Sequence, residues 1–199
     1  MNELSKSLDE ILTYLIRWQF KVPTYLQPPL KVEVIKEKLS RINIEPSDEL
    51  IEFYSWRNGT SIKENPLIDD IHFFPGYYIL SLEDAIEDYL LFEDHPQWSK
   101  DWLPIFANGG GDFYAVDLSL QTKKESPLID FLLGEPEHDI EFSSITNMFK
   151  TILECFKQNA IFRTEEGYLE RDTSEYIRIA QKLNSDIDYW HNCFCKNLI

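Results

Sequence analysis

The stretch WLPIFANGGGDFYAVDL, residues 102–118, sets the reading of the rest of the chain. An apolar run, 103–107, leads into Asn108-Gly109-Gly110-Gly111-Asp112, and a second β-rich run follows to Leu118. Two such runs around a glycine-rich connection predict an antiparallel hairpin, with glycines supplying the positive φ values of the turn. Loops that cradle phosphate pass from a strand into a helix with a lysine close behind. Here a strand follows and the next lysine is Lys123, so the run does not read as a nucleotide site. Asp112 is placed to cap the turn with its side chain. Asn108, Gly110 and Asp112 are also candidate contact positions, whereas Gly109 and Gly111 read as structural. Pro104 fixes the start of the hairpin, and Trp102 is expected in the core beside Ile105. Trp98, four residues earlier, is either core or an interface anchor, a role for which Trp is enriched.

Working upstream, Ser81-Leu82-Glu83-Asp84 has the form of a capping box, and Ala85, Ile86, Tyr89 and Leu90 continue it as a helix to about Glu93. Before it, residues 71–74 and 77–80 read as short strands divided by Pro75-Gly76. Pro46-Ser47-Asp48-Glu49 offers a helix start, Leu50, Phe53 and Tyr54 form its apolar face, and Asn58-Gly59 offers a left-handed stop. Val32, Ile35, Leu39 and Ile42 outline an earlier helix, and residues 7–20 an amphipathic first one. Downstream, residues 127–133 predict a strand. Ser143 or Ser144 caps a helix whose face is Ile145, Met148, Phe149, Ile152 and Phe156, and a last helix covers 174–183. Strands in the middle with helices on both sides predict an α+β fold, a central and mainly antiparallel sheet flanked by helices. Without repeats or linkers, residues 1–199 read as one domain: an N-terminal helix and loop over 1–30, a core over 31–184 and a tail over 185–199.

The chain has 199 residues, 43% of them hydrophobic and 14% aromatic, enough to fill a core and to exclude general disorder. No apolar run approaches the roughly 20 residues that span a bilayer, which argues against a membrane role. The polar start MNELSKSLDE lacks the layout of a secretory signal, so a cytoplasmic location is expected. The net charge of −16 is concentrated. Residues 64–99 hold nine acids and no Lys or Arg, and residues 125–149 hold six acids and again no base. Such a chain is a poor ligand for nucleic acid, whose binding rests on clustered cations. A basic protein is the better partner. Within the first window, Asp69, Asp70, Glu83, Asp84, Glu87 and Asp88 are the candidate steering residues.

Other chemistries find little support. His191, Cys193 and Cys195 form H-x-C-x-C, but the spacing matches no structural zinc pattern, and reduced thiols are the simpler reading; no metal or cofactor is expected. Nucleophilic catalysis usually leaves a sharp signature such as G-x-S-x-G, which is absent. Carboxylate pairs such as Glu83/Glu87 and Asp84/Asp88 are too plentiful to single one out as an acid–base pair. No enzymatic activity is therefore expected, and a hydrolase using scattered carboxylates is the remote alternative.

The ordered pieces also resemble a known pattern: Pro46, Phe53-Tyr54, Asn58-Gly59, Phe74-Pro75-Gly76-Tyr77, Leu80 to Ala85, then Trp102-Leu103-Pro104-Ile105, the glycine loop with Asp112, and Tyr114-x-Val116-Asp117-Leu118. This is similar to the SUKH superfamily, which joins a yeast cell-wall-synthesis regulator to many bacterial immunity proteins. The likeness spans about 39–183, with Asn184-Ser185 where relatives commonly carry Asn-Pro. It implies an α+β fold, structural roles for Asn58, Gly59, Trp102, Pro104, Ile105, Gly109, Gly111 and Asp112, no catalysis, and a protein-binding task. In bacteria that task is usually neutralisation of a polymorphic or contact-dependent toxin, often a nuclease, in the cytoplasm. A regulatory scaffold binding a cell-wall or signalling partner is the alternative.

Overall fold

The computed structural model describes residues 2–63 and 65–196. In chain order these form α1 (Glu3–Arg17), α2 (Val22–Tyr25), α3 (Val32–Ser40), α4 (Asp48–Trp56), α5 (Ile68–Ile71), β1 (Tyr78–Ile79) and α6 (Leu82–Phe92). The hairpin β2 (Trp102–Ala107) and β3 (Phe113–Asp117) follows, then β4 (Leu128–Phe131), β5 (Ile140–Phe142) and α7 (Ile145–Lys157). A small hairpin of β6 (Ile161–Arg163) and β7 (Leu169–Arg171), then α8 (Thr173–Leu183) and α9 (Asp188–Lys196), complete the described residues.

The five strands β1 to β5 form an antiparallel meander in sequence order, and β6 and β7 pair separately. Alternation along the strands divides the side chains between two faces. Tyr114, Val116 and Leu128 join the larger core with Leu4, Leu8, Ile11 and Leu15 of α1, Phe53 of α4 and the buried stripe of α7. Phe113, Ala115, Ile129 and Phe131 face the other way and are covered by α6 and Trp98. The fold is thus α+β, helices flanking a mainly antiparallel sheet.

Local chemistry explains the helix starts. The Oγ atoms of Ser47, Ser81 and Ser144 accept hydrogen bonds from the backbone N–H of Leu50, Asp84 and Asn147. Each satisfies a donor that the first helical turn leaves without a partner. Asn184, 1% exposed, donates from Nδ2 to Thr151 Oγ1 and to the Ala180 carbonyl, and so ties the end of α8 to α7. Pro104 lies inside β2 beside a bulge at Ile105, where the register with β3 shifts, a place where a missing N–H is tolerated.

Two expectations need correction. Residues 71–74 are not a strand: α5 ends at Ile71, and only an isolated bridge joins Phe74 to Tyr77 around Pro75-Gly76. Nor does Asn58-Gly59 stop α4 as a left-handed cap, because Arg57 already leaves the helix in an extended conformation (φ −154°, ψ 144°). Gly59 (φ +66°) lies against the backbone of residues 80 and 81, where a β-carbon would fall 2.4 Å from the Leu80 carbonyl. Asn58 accepts from Leu82 N–H and donates to Glu83, so the pair fastens the end of α4 to the start of α6.

Candidate protein-docking surface

The glycine loop is built around Asn108. Its Oδ1 accepts from the N–H groups of Gly110 (2.6 Å) and Asp112 (3.1 Å), and its Nδ2 donates to Asp112 Oδ2 (2.6 Å). Asp112 in turn accepts from Leu133 N–H through Oδ1 (2.9 Å), tying the loop to the end of β4. Gly109 (φ +80°) and Gly111 (φ +105°) need their glycines for backbone angle, and a side chain at either would also have to displace an aliphatic neighbour. A β-carbon on Gly109 would sit 3.1 Å from Ile68 Cδ1, and one on Gly111 2.9 Å from Leu133 Cδ2. Two aliphatic side chains therefore lean onto the loop, Ile68 from one side and Leu133 from the other.

The antiparallel order places three connections at this end of the sheet: the segment before β1, the β2–β3 loop and the β4–β5 loop. The end of α6 reaches it too, since Phe92 packs against Phe113 and Phe131 with centroids 5.1 and 6.1 Å apart. Gln97 then donates to the Glu135 carbonyl and accepts from Gly134 N–H. The two base-free acidic windows, far apart in sequence, thereby meet. Their aliphatic residues stay in solvent: Leu67 is 72% exposed, Ile68 41%, Leu132 38% and Leu133 48%. Asp69, Asp94, Asp112, Glu135 and Glu137 lie in the same segments, all but Asp112 exposed. An aliphatic patch rimmed by one sign of charge is the form of a protein contact surface.

The predicted steering acids divide. Asp69 and Asp70 lie on α5 beside the glycine loop, but Asp70 is held by Lys21 at 2.8 Å. Glu83 binds Lys38 at 2.9 Å as well as Asn58, and Asp84 accepts from the Ser81 hydroxyl at 2.6 Å, so both are occupied by the start of α6. Glu87 is exposed on α6. Asp88 is half-buried, and desolvation together with the charges of Asp84 and Glu87 raises its pKa to about 6. Trp98 is buried at 8% exposure among Phe92, Trp102, Phe113 and Phe131, so it supports the patch from beneath and presents no surface to a partner. Trp102 is half-buried beside it. His191 Nε2 lies 2.9 Å from the Ser185 carbonyl, while the side chains of Cys193 and Cys195 fall outside the described residues.

Sequence reasoning missed a second cluster of acids, buried under the same end. Tyr77 donates to Asp130 and Tyr114 to Glu141, each at 2.9 Å. Tyr189 also binds Glu141, and Trp190 Nε1 donates to the Glu141 carbonyl at 2.6 Å. Burial, then repulsion from Asp130, raises Glu141 to about 8, and burial, then repulsion from Asp112, raises Asp130 to about 6, opposed by the tyrosine hydrogen bonds and by Arg171. Arg171 also lies over the Tyr176 ring, 4.9 Å from its centroid. Tyr114 and Asp130 lie in stretches that the sequence marks as strands, but their pairing across β3 and β4 is set by register and does not show in the sequence.

Residues 29–155, more than half of the chain, match the family model described as SMI1 / KNR4 family (SUKH-1). The chain belongs to this family. The match takes in the meander, the glycine loop, both acidic windows and all but the last two residues of α7, and it stops short of Leu183, leaving α1, α2, the β6–β7 hairpin, α8 and α9 outside. Comparison with curated proteins finds no match. Membership of SUKH-1 supports a protein-binding role, immunity or regulatory, at the level of the family. None of the described helices is long and apolar enough to cross a membrane.

Proposed function

We propose that this SUKH-1 protein is a stoichiometric immunity protein that binds a basic toxin domain, of the nuclease type, in the cytoplasm and blocks it without catalysis. The observation that carries this reading is the meeting of the two base-free acidic windows around an exposed aliphatic patch. Toxic domains that act on nucleic acid need clustered cations, and an acidic inhibitor complements them while repelling the anionic substrate. Steering of this kind acts mainly on the rate of encounter and is screened by salt.

Affinity capture of the tagged protein from its own cells at low and high salt tests the reading. One strongly basic protein, released as salt rises, is the expected result. A neutral or acidic partner, or cell-wall and signalling proteins held regardless of salt, would overturn it. With the partner in hand, combined reversal of Asp69, Glu87 and Asp88 to Lys should slow association about tenfold and flatten its salt dependence. These three are the suitable acids because Asp70, Glu83 and Asp84 also hold the fold.

A further inference from the structure

Gly110 stands apart from its neighbours. Its φ is not positive, and a β-carbon there would meet only the Asn108 side chain, at 3.3 Å from Oδ1. The backbone angle does not require glycine at this position, and the one neighbour a β-carbon would crowd is Asn108, which would have to give by a few tenths of an ångström. The absent side chain leaves a bare stretch of main chain at Gly110, with Ile68 against Gly109 before it and Leu133 against Gly111 after it. Ile68 and Leu133 thus flank the side-chain-free position 110 as an aliphatic cradle, and exposed acids stand on the neighbouring segments: Asp69 on α5, and Glu135 and Glu137 after Leu133.

We infer that this cradle over Gly110 is the anchoring point of the partner, and that it receives one aliphatic or aromatic side chain flanked by Lys or Arg. The inference rests on the proposed binding of a basic protein and goes further by placing the contact on the glycine loop instead of the outer face of α6. Charge selects the occupant. A second copy of this chain would bring acids against acids, and an anionic membrane or nucleic acid would be repelled in the same way. An apolar side chain in the cradle covers Ile68 and Leu133, while its cationic neighbours reach the carboxylates around it. A central apolar anchor inside a polar rim is the arrangement that concentrates binding energy in few residues.

The test uses the full chain and a displayed library of random 12-residue peptides. Enriched peptides should carry an aliphatic or aromatic residue between Lys or Arg. A synthetic representative should lose about tenfold or more in affinity on Gly110→Trp, which fills the cradle, and on Leu133→Ser. Glu166→Lys, exposed in the separate β6–β7 hairpin, is the control and should leave it unchanged. Thermal unfolding of each variant at the wild-type temperature separates lost contact from lost fold, with Gly110→Ser as the milder substitute. Basic peptides that ignore Gly110→Trp and Leu133→Ser but respond to Glu87→Lys would overturn the cradle and leave the acidic-surface reading standing. Apolar peptides without cations that are lost on Gly110→Trp would overturn the chemistry assigned to the partner. A dimer in sedimentation that Leu133→Ser dissolves would show a second copy as the occupant and overturn the inference. Enrichment of acidic peptides would overturn both it and the functional reading.

Discussion

The two ends of the meander use their polar groups in opposite ways. At the end away from the glycine loop, the Glu49 carboxylate accepts from the backbone N–H groups of Ser126, Ile145 and Thr146 at 3.0 to 3.2 Å. Asp48 and Glu49 N–H donate to the carbonyls of Lys123 and Lys124, and Ser47 bonds Ser126. Asp117 takes the N–H groups of Ser119 and Leu120 and the Ser119 hydroxyl. That end is fastened to itself. At the glycine-loop end most of the acids reach solvent and four aliphatic side chains are left uncovered. Carboxylates directed at backbone donors hold a fold together, whereas carboxylates left around apolar surface are available to another molecule. The acid count alone does not distinguish the two.

The largest effect that tests this contrast is expected at Gly59, on the fastened side. Gly59→Ala sets a β-carbon 2.4 Å from the backbone of residues 80 and 81 at positive φ, and neither segment can yield without breaking the Asn58 bonds to Leu82 and Glu83. A loss of about 4 kcal/mol in urea unfolding is expected, or failure to fold. Next is Glu49→Ala, which strands three backbone donors next to the N-terminus of α7 and should cost about 3 kcal/mol. If either variant unfolds like the wild type, the fastened end is not what holds α4, α6 and α7 to the sheet.

How far the sequence announces this depends on the range of the interaction. The Ser47, Ser81 and Ser144 caps, the hairpin and the glycines with positive φ are all settled within a few residues, and local pattern finds them. Glu49 reads in sequence as one more acid in a first helical turn; its bonds to Ile145 and Thr146 span nearly half the chain. The strand Ile140–Phe142 escaped notice because three residues after a Pro- and acid-rich loop carry no period, and its pairing with β4 decides it. The hairpin Ile161–Arg163 with Leu169–Arg171 is as short and more polar. At the candidate site, the base-free windows are plain in the sequence. Their meeting at one end, the cover over Trp98 and the engagement of Glu83 and Asp84 are products of topology.

The buried acids beneath the open end should show themselves in the pH dependence of stability. Glu141 is raised from an ordinary 4.5 to about 8 and Asp130 from 3.8 to about 6. Across those intervals the native protein holds protons that the unfolded chain has already released, so stability falls as pH rises and is greatest below both ordinary values. Glu141→Gln keeps the shape of the protonated acid and removes its part of that loss. The variant should be more stable than wild type by several kcal/mol at pH 8.5 and nearly equal to it at pH 4. An equal difference at both pH values would mean that Glu141 is ionised throughout, held by Tyr114, Tyr189 and Arg171 more strongly than burial opposes it.

The smallest effect is the most discriminating, because it asks whether the open end belongs to the fold at all. Gly110→Ala meets only Asn108 and adopts no forbidden backbone angle, so unfolding free energy should change by less than about 0.5 kcal/mol. Gly111→Ala, one residue on, must displace Leu133 at φ +105° and should cost roughly 1 to 2 kcal/mol. Equal costs at the two positions, measured in the same urea titrations, would mean that the loop is one rigid unit whose middle glycine is structural like the others. A clear difference means that the chain can carry a side chain at 110 at almost no cost to its own folding, and the reason for its absence then has to be sought outside the chain.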